Sequence, residues 1–259
     1  MGYEVRSIAI LNQKGGSGKT TTAVNLAACL GENGRRVLVM DLDPQASATD
    51  WFGVENPGRG ITDIFVDRAP LLELVRATDV LGVAIIPASA WLQGAEKVLR
   101  WEPKSMKILG HYVDELPQHQ WDYMLVDCPP TLGLLTANAL IAVKEVLIPV
   151  EAHHLALPGV DRVIASVETL RAHLNHELRV STIVPCRVDP RTRHARRVVA
   201  ELRSRYGKLV SQVEIRENVR LAEAPAHKQP ITLFDSRSKG AKDYRALASE
   251  IIAAERPLA

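Results

Sequence analysis

The stretch Asn12-Gln13-Lys14-Gly15-Gly16-Ser17-Gly18-Lys19-Thr20-Thr21 is the most informative part of this 259-residue chain. It follows an apolar run at 8–11 and opens a segment, 23–30, with apolar residues at helical spacing. A strand, a glycine loop and a helix start form the context that a phosphate-binding loop requires. Glycines allow backbone N–H groups to face phosphate oxygens, with no Cβ in the way. The sequence therefore predicts a nucleotide-binding loop formed by Gly15, Gly16, Ser17, Gly18, Lys19, Thr20 and Thr21.

The roles of two side chains in this loop follow from their position. Lys19 is expected to reach the β- and γ-phosphates, and Thr20 to place its hydroxyl on Mg²⁺. The common spacing would put a glycine at Gln13, so the generic pattern is not met, and an additional lysine, Lys14, precedes the glycines. A glycine-rich turn with lysines placed by chance is the alternative interpretation.

This variant, Lys-Gly-Gly-x-Gly-Lys-Thr-Thr, resembles the deviant Walker A ATPases of the ParA/MinD superfamily, and most closely the ParA/Soj branch. In that family the first lysine crosses a dimer interface to the partner's nucleotide, and the resemblance assigns this role to Lys14. A cation there is physically reasonable, because negative charge on the γ-phosphoryl oxygens needs a positive group beyond Mg²⁺. The resemblance thus implies an ATP-dependent homodimer.

Length and composition describe an ordinary globular protein. Hydrophobic residues make up 46 % of the chain and charged residues 24 %, which is typical of this class. No apolar run approaches the roughly 20 residues that span a bilayer. The N-terminus has no signal-peptide pattern, and three cysteines without metal-ligand spacing suggest a reducing compartment. We therefore expect a cytoplasmic protein.

Strand-like runs alternate with helical patterns along the whole chain, which predicts an α/β fold. The expected architecture is a mostly parallel twisted sheet with helices on both faces, the P-loop NTPase fold, in a single domain over 1–259. Predicted strands lie at 8–11, 36–41, 83–87, 123–127, 145–150, 180–184 and near 209–215. Predicted helices lie at 23–30, 61–66, 71–77, 90–100, 104–116, 132–143, 159–176, 192–206 and 240–254.

Acidic residues close two of the predicted strands: Asp41 and Asp43 follow one, and Asp127 ends another. Ligands of open parallel sheets bind at the carboxyl ends of strands, and a buried carboxylate without a partner is costly. The alternative is that these acids cap helices or stabilise turns. Asp41-Leu42-Asp43-Pro44-Gln45 resembles the second motif of the ParA/Soj family, and Asp127 resembles the Walker B acid.

The resemblance implies roles for these acids. Asp43 would orient the attacking water, Asp127 would hold Mg²⁺ through a water, and Asp41 would lie in the outer coordination shell of the metal or act as a switch. The implied cofactors are ATP and Mg²⁺, and the implied reaction is slow ATP hydrolysis by in-line attack on the γ-phosphorus. Lys14, Lys19 and Asp43 are thus the candidate catalytic residues, and Thr20, Asp41 and Asp127 the candidate metal-binding residues.

The segment that closes the base pocket in this family departs from the family pattern. Family members usually read Ile-Pro-Arg-Asn, whereas this chain reads Ile215-Arg216-Glu217-Asn218. No base-stacking arginine is therefore assigned, and the residues that contact the adenine are left open.

Positive charge is concentrated in the last quarter of the chain. Residues 1–186 carry a balance of −5, and residues 187–259 a balance of +7. On the predicted helix at 192–206, four arginines lie largely off the apolar stripe: Arg193, Arg196, Arg197 and Arg203. A solvated charged face is the alternative, but contact with phosphates of nonspecific double-stranded DNA is the sharper hypothesis.

A further DNA-contacting residue is implied by resemblance alone. Asn218-Val219-Arg220-Leu221-Ala222-Glu223-Ala224-Pro225 resembles a ParA/Soj segment with a DNA-contacting arginine, which maps to Arg220. A salt bridge from Arg220 to Glu223, three residues later, is the structural alternative.

Three rival functions remain open from sequence. A MinD-like membrane ATPase would end in a basic amphipathic helix, whereas this chain ends with an acid, a proline and little apolar bulk at 251–259. A ParA-like ATPase that positions a protein cargo, such as a carboxysome or a chemoreceptor cluster, has the same motifs. A metabolic P-loop kinase would leave Lys14 unexplained. We expect a nucleoid-associated ATPase that segregates plasmid or chromosome DNA with a ParB-like or other adaptor, without a membrane partner.

Overall fold

The computed structural model describes residues 5–99, 104–117, 120–153 and 156–255. Seven strands form one sheet in the order β3-β4-β2-β5-β1-β6-β7. All neighbouring strands are parallel except the pair β3 and β4. The strands are β1 (Arg6–Ile10), β2 (Val37–Asp41), β3 (Arg76–Ala77), β4 (Val83–Ile86), β5 (Tyr123–Asp127), β6 (Glu145–Glu151) and β7 (Arg179–Cys186).

Eleven α-helices and four short 3₁₀ turns connect these strands in the described part of the chain. The helices are α1 (Lys19–Glu32), α2 (Ser47–Trp51), α3 (Thr62–Val66), α4 (Trp91–Leu99), α5 (Ile108–Asp114), α6 (Leu134–Ala142), α7 (Ala156–His173), α8 (Arg193–Tyr206), α9 (Val219–Glu223), α10 (Ile231–Phe234) and α11 (Lys239–Ala253). The 3₁₀ turns are Leu71–Leu74, Ser105–Lys107, Gly207–Leu209 and Ala224–His227.

Helices cover both faces of the sheet. Successive strand residues point to opposite sides, so they pack against different sets of helices. In β5, Tyr123 and Leu125 belong to the hydrophobic cluster that contains α1 and α11. Met124 and Val126 belong to the opposite cluster, with α4 to α8. Such fully buried strands are typical of parallel sheets with helices on both faces. The predicted fold class is confirmed.

The predicted helix at 71–77 is wrong. The chain forms only the 3₁₀ turn Leu71–Leu74, and then the edge strand β3 pairs antiparallel with β4. Val75 is already extended, with φ −66° and ψ 132°. Only four residues lie between Pro70 and this extended position. That stretch is too short for the predicted α-helix, although its apolar residues have helical spacing.

The predicted strand near 209–215 is also wrong. One isolated bridge lies within this described range, Ile183 with Val210, and a second, Val188 with Arg216, directly follows it. The carboxylate of Glu250 in α11 accepts the backbone N–H groups of Gln212 at 3.1 Å and Val213 at 3.2 Å. These donors are therefore occupied by a side chain and do not extend a strand ladder.

Two sequence predictions extend beyond the described residues. The chain-end segment 251–259 is described only as far as 255, and the predicted helix at 90–100 only as far as 99.

The close approach of α1 to the sheet offers a stability test. A Cβ at Gly31 in α1 would lie 2.0 Å from the carbonyl oxygen of Leu81. We expect Gly31→Ala to destabilise the fold by about 1–3 kcal/mol, as other overpacking substitutions do. Gly94→Ala in α4 is the matched control, because a Cβ there meets nothing within 4 Å. Thermal unfolding should show a lower Tm for G31A and an equal or higher Tm for G94A; equal Tm values would contradict the packing argument.

Candidate functional site

The glycine loop lies between β1 and α1 and is anchored to β6. Asn12 donates its side-chain amide to the carbonyl of Pro149 at 2.7 Å and accepts the N–H of Lys14 at 3.0 Å. Gly16 and Gly18 have φ values of +74° and +92°, which L side chains rarely adopt. No side chain of the described residues caps α1, so its first N–H groups are available to an anion. The loop has the geometry that phosphate binding requires.

Lys19, the first residue of α1, is almost fully buried. Its ammonium lies 3.5 Å from the carbonyl oxygen of Lys14. Burial lowers the pKa of Lys19, against the raising effect of the carboxylates of Asp127 and Asp43. A partly desolvated cation beside an open loop interacts strongly with an incoming phosphate.

The register of the sheet brings two of the predicted acids together. Asp41 and Asp127 are paired residues at the ends of β2 and β5, and both are fully buried. Asp41 accepts three hydrogen bonds: from the Thr49 N–H at 2.8 Å, the Thr49 hydroxyl at 2.7 Å and the Asp43 N–H at 3.1 Å. Burial raises the pKa of Asp41 to about 6, and these hydrogen bonds oppose the rise. Both oxygens of Asp41 are thus engaged by the protein, and the side chain positions Asp43.

Asp127 differs from Asp41 because neither of its carboxylate oxygens has a hydrogen-bond partner in the described chain. Burial, and then the charge of Asp41, raise the pKa of Asp127 well above its usual value; Thr20 and Lys19 oppose this rise. An unpartnered buried carboxylate is costly unless a cation or donor approaches it. Oxygen ligands suit Mg²⁺, so the residues present fit this metal.

A cavity of about 620 Å³ opens over the loop, a volume within the range of small-molecule sites. Lys19, Thr20 and Asp43 line it beside the loop. Further lining residues, here called the far end, come from the segment before α9, from α9 and from α11: Ile215, Arg216, Glu217, Asn218, Val219, Leu221, Ala222 and Tyr244. The volume is sufficient for a phosphate group at the loop together with a larger group such as a nucleoside.

Lys14 does not line this cavity. Its ammonium forms an ion pair with Glu151 at the end of β6, and 47 % of its side chain is exposed. Glu151 also pairs with Arg187 at 3.3 Å. In the single chain, Lys14 is therefore held beside the loop by a surface ion pair, and its predicted role across a dimer interface stays a prediction.

Tyr244 is a cavity residue that the sequence analysis missed. It is buried in α11, and its hydroxyl lies 3.2 Å from the hydroxyl of Thr22 in α1. The two residues are 222 positions apart. Because no local motif joins such distant segments, only the fold brings Tyr244 to the site.

The basic residues at 187–208 divide into paired and unpaired groups. Ion pairs hold four arginines: Arg187 with Glu151, Arg191 with Asp189, Arg203 with Glu214 and Arg205 with Asp161. The predicted DNA-binding residues Arg193, Arg196 and Arg197 are exposed. Within the described residues no carboxylate pairs with them. These three arginines, here called the unpaired α8 arginines, lie in the first two turns of α8.

Arg220 is held within the chain. Its guanidinium pairs with Glu223 at 2.8 Å and with Asp235 at 3.1 Å, and it lies 5.0 Å from the ring centroid of Phe234. The structural alternative for this residue is thus observed. Since two acids balance its charge, Arg220 is a weaker candidate for phosphate contact than the unpaired α8 arginines.

Comparisons with known proteins identify close relatives over nearly the whole chain. A family model described as an AAA domain matches residues 5–180. Soj of Bacillus subtilis (strain 168), a sporulation initiation inhibitor protein, is 42 % identical over 248 residues, covering 95 % of this chain and 98 % of its own. The chromosome-partitioning ATPase Soj of Thermus thermophilus is 43 % identical over 250 residues, covering 96 % of each chain.

A solved structure that contains a bound nucleotide is also similar to this chain. Cobyrinic acid a,c-diamide synthase from Mycobacterium smegmatis with bound ATP analog and magnesium has a TM-score of 0.83 and 30 % identity, covering 96 % of this chain and 94 % of its own.

Among the described helices of this chain, none is long and apolar enough to cross a bilayer.

The unpartnered carboxylate of Asp127 leads to a test of metal binding. In EDTA, Asp127→Asn should unfold at an equal or higher temperature than the parent, because a buried amide is less costly than a buried charge. The additional stabilisation of the ADP-bound protein by Mg²⁺, about 2.7 kcal/mol at a ligand concentration of 100 Kd, should be lost.

Asp122→Asn is the matched control for this test. Asp122 lies just before the other end of β5 and pairs with Arg36 at the surface. We expect this variant to keep the full Mg²⁺-dependent rise in Tm with ADP. The same rise in D127N would mean that Asp127 does not hold the metal.

Proposed function

The chain belongs to the ParA/Soj family of partitioning ATPases, and we propose that it is an ATP-dependent dimerising switch that segregates plasmid or chromosome DNA. The protein is an ATPase that uses ATP and Mg²⁺. The observation that carries the proposal is the cavity over the glycine loop, lined by Lys19, Thr20 and Asp43 and backed by the unpartnered Asp127.

The proposed chemistry is attack of water on the γ-phosphorus of ATP. Asp43 orients the water, and Asp41 fixes Asp43 by accepting its N–H. The N–H groups of the loop and the ammonium of Lys19 stabilise charge on the transferred phosphoryl group. Thr20 and Asp127 would hold Mg²⁺, which supplies further positive charge to the phosphate oxygens. Catalysis is then positioning and charge stabilisation, with no covalent step on the protein.

Dimerisation follows from the role proposed for Lys14. To reach the nucleotide of a second copy, the ammonium of Lys14 must leave Glu151. Half-exposed ion pairs of this kind contribute only about 0–1 kcal/mol, so the exchange of partner costs little. A γ-phosphate presented across an ATP-bound dimer is a stronger partner, because it carries more charge and is less hydrated.

The role of Asp43 can be tested by turnover. Asp43→Ala is expected to lower kcat by about 10²–10⁴-fold, the range for removal of a group that positions or accepts a proton, and to prolong the ATP-bound dimer. Steady-state phosphate release and ATP-dependent light scattering measure the two effects. Asp50→Ala on α2, outside the cavity lining, is the control and should retain the parent rate. A parental rate in D43A would refute the role assigned to Asp43.

Lys14→Ala should lose both ATP hydrolysis and ATP-dependent dimerisation.

We further propose that the dimer binds double-stranded DNA without reading its sequence. The unpaired α8 arginines support this, because cations without protein partners can neutralise phosphates and release counterions. A dimer doubles the number of such contacts, so ATP binding switches DNA binding on. The protein would then act in the cytoplasm on the nucleoid, with a ParB-like or other adaptor linking it to its cargo.

Two alternative functions rest on the same ATPase. The adaptor could join the DNA-bound dimer to a protein assembly such as a carboxysome or a chemoreceptor cluster. A MinD-like membrane partner is the weaker alternative, because the apolar face of the basic helix α8, with Val198, Val199 and Leu202, is buried in the protein and is not available to a bilayer.

The DNA proposal is tested with two triple variants that remove the same charge. Arg193, Arg196 and Arg197 are changed to Ala in one, and the ion-paired Arg191, Arg203 and Arg205 in the other. Binding to an arbitrary linear duplex is measured without nucleotide, with ADP and with ATP over a salt series. The first variant should bind more weakly, and its salt slope should be shallower by about 0.9 for each phosphate that is no longer neutralised.

The paired-arginine control should retain ATP-dependent binding close to the parent level. Equal losses in both variants would indicate a general charge effect, and unchanged binding in the first would make its arginines a solvated face. We expect Arg220→Ala to have a smaller effect than the triple change, since Glu223 and Asp235 already balance that charge.

A further inference from the structure

We propose that the ion pair of Arg216 with Asp243 is a positioning pair that holds the nucleoside end of the cavity in its binding conformation. The proposal rests on the nucleotide-binding role given to the cavity above. Arg216 precedes α9, and Asp243 lies in α11. The pair therefore joins the cavity wall to a helix that is packed against α1.

The contacts of this pair are unusually complete. The carboxylate of Asp243 accepts the backbone N–H of Arg216 at 3.0 Å. It also accepts the Nε–H at 3.0 and 3.1 Å and a second guanidinium donor, Nη2. Only 8 % of the Asp243 side chain is exposed, against 37 % for Arg216. Such forked, charge-assisted hydrogen bonds fix orientation as well as distance.

Apart from Arg216, the residues next to it bond to one side only, whereas Glu250 of α11 holds the preceding Gln212 and Val213. Ile215 donates its N–H to Pro185 at 2.8 Å, and Glu217 donates its N–H to Val188 at 3.0 Å. Both bonds run to the end of β7 and the residues after it. The N–H of Arg216 points to the other side, where Asp243 receives it. The pair thus ties the segment to α11 at the stretch that lines the cavity, Ile215, Arg216 and Glu217.

The neighbour of Asp243 strengthens this argument. Tyr244 lines the same cavity and contacts Thr22, three residues after Lys19, through its hydroxyl. Successive residues of α11 thus act on the same part of the cavity: Asp243 holds Arg216, which lines it, and Tyr244 lines it directly. Loss of the Asp243 tie would release the wall while Tyr244 and the glycine loop stay in place.

The pair is expected to affect affinity for the nucleoside and not for phosphate. When only a fraction of molecules has the binding conformation, the apparent Kd rises in proportion. Removal of the tie lowers this fraction at the far end of the cavity. The glycine loop, which is anchored by Asn12 to β6, does not depend on it.

The test compares two probes, Mg²⁺-ADP and Mg²⁺-tripolyphosphate, by calorimetry at a temperature where all variants are folded. For Asp243→Ala and for the double change R216A/D243A, we expect the Kd of ADP to rise about tenfold. The Kd of tripolyphosphate should change less than about twofold, since that probe has no nucleoside to contact the released wall. In turnover, the KM for ATP should rise while kcat stays near the parent value. The double change removes the buried charge together with its partner, which avoids leaving one of them unpaired.

Arg245→Ala is the matched control, because Arg245 likewise holds α11 by an ion pair, with Glu32 of α1 at 2.7 Å, but does not line the cavity. It should lower the Tm without changing either Kd. An unchanged ADP affinity in D243A would overturn the proposal and leave the pair purely structural, and so would an equal loss for both probes. If the parent bound neither probe, the nucleotide-binding role itself would fail. A Lys19→Ala variant distinguishes failure of the positioning proposal from failure of the nucleotide-binding role. Because Lys19 acts at the phosphate end, this variant should bind both probes more weakly.

Discussion

Two carboxylates buried side by side at the ends of β2 and β5 constrain the whole candidate site. Parallel pairing places Asp41 against Asp127, and two buried negative charges at such a position repel each other strongly. Hydrogen bonds from Thr49 and the Asp43 N–H satisfy Asp41, whereas the carboxylate oxygens of Asp127 have no hydrogen-bond partner among the described residues. Asp127 is left with the partly desolvated Lys19 as its nearby positive charge. The chain alone therefore has a deficit of positive charge at this place, which a divalent cation would correct.

The far end of the cavity is built on a different principle. Among the described residues that line it, none carries an unpartnered buried charge; instead, segments from β7, α9 and α11 are joined by hydrogen bonds. Arg216 and Asp243 join two of these segments, and Tyr244 joins α11 to α1. If the cavity binds a nucleotide as proposed, phosphate affinity would depend on backbone geometry and charge near the loop, and nucleoside affinity on how the last quarter of the chain packs against α1.

The same last quarter carries the excess of basic residues, and the structure separates its arginines into ion-paired and unpaired ones. Most arginines there balance a neighbouring acid, so they add packing and orientation but little net positive potential. The unpaired α8 arginines differ from these, and their charge is available to an anionic partner. Helix α9 takes part in both the cavity and the ion pairs. Its residues Val219, Leu221 and Ala222 line the cavity. Its arginine, Arg220, contacts Glu223, Asp235 and Phe234.

The glycine loop, the strand-end acids and the α/β class could all be predicted from the amino-acid order, because each depends on short-range chemistry: glycine conformations, acids at strand ends and apolar periodicity. The basic helix could be located in the same way. The prediction failed at 209–215, where Glu250 takes the backbone donors of an apparent strand. Only the folded chain shows which arginines are neutralised, which buried acid is unpartnered, that Tyr244 lines the cavity and that Asp243 holds the cavity residue Arg216. Hydrogen bonds and ion pairs between distant segments depend on packing, and no local pattern records them.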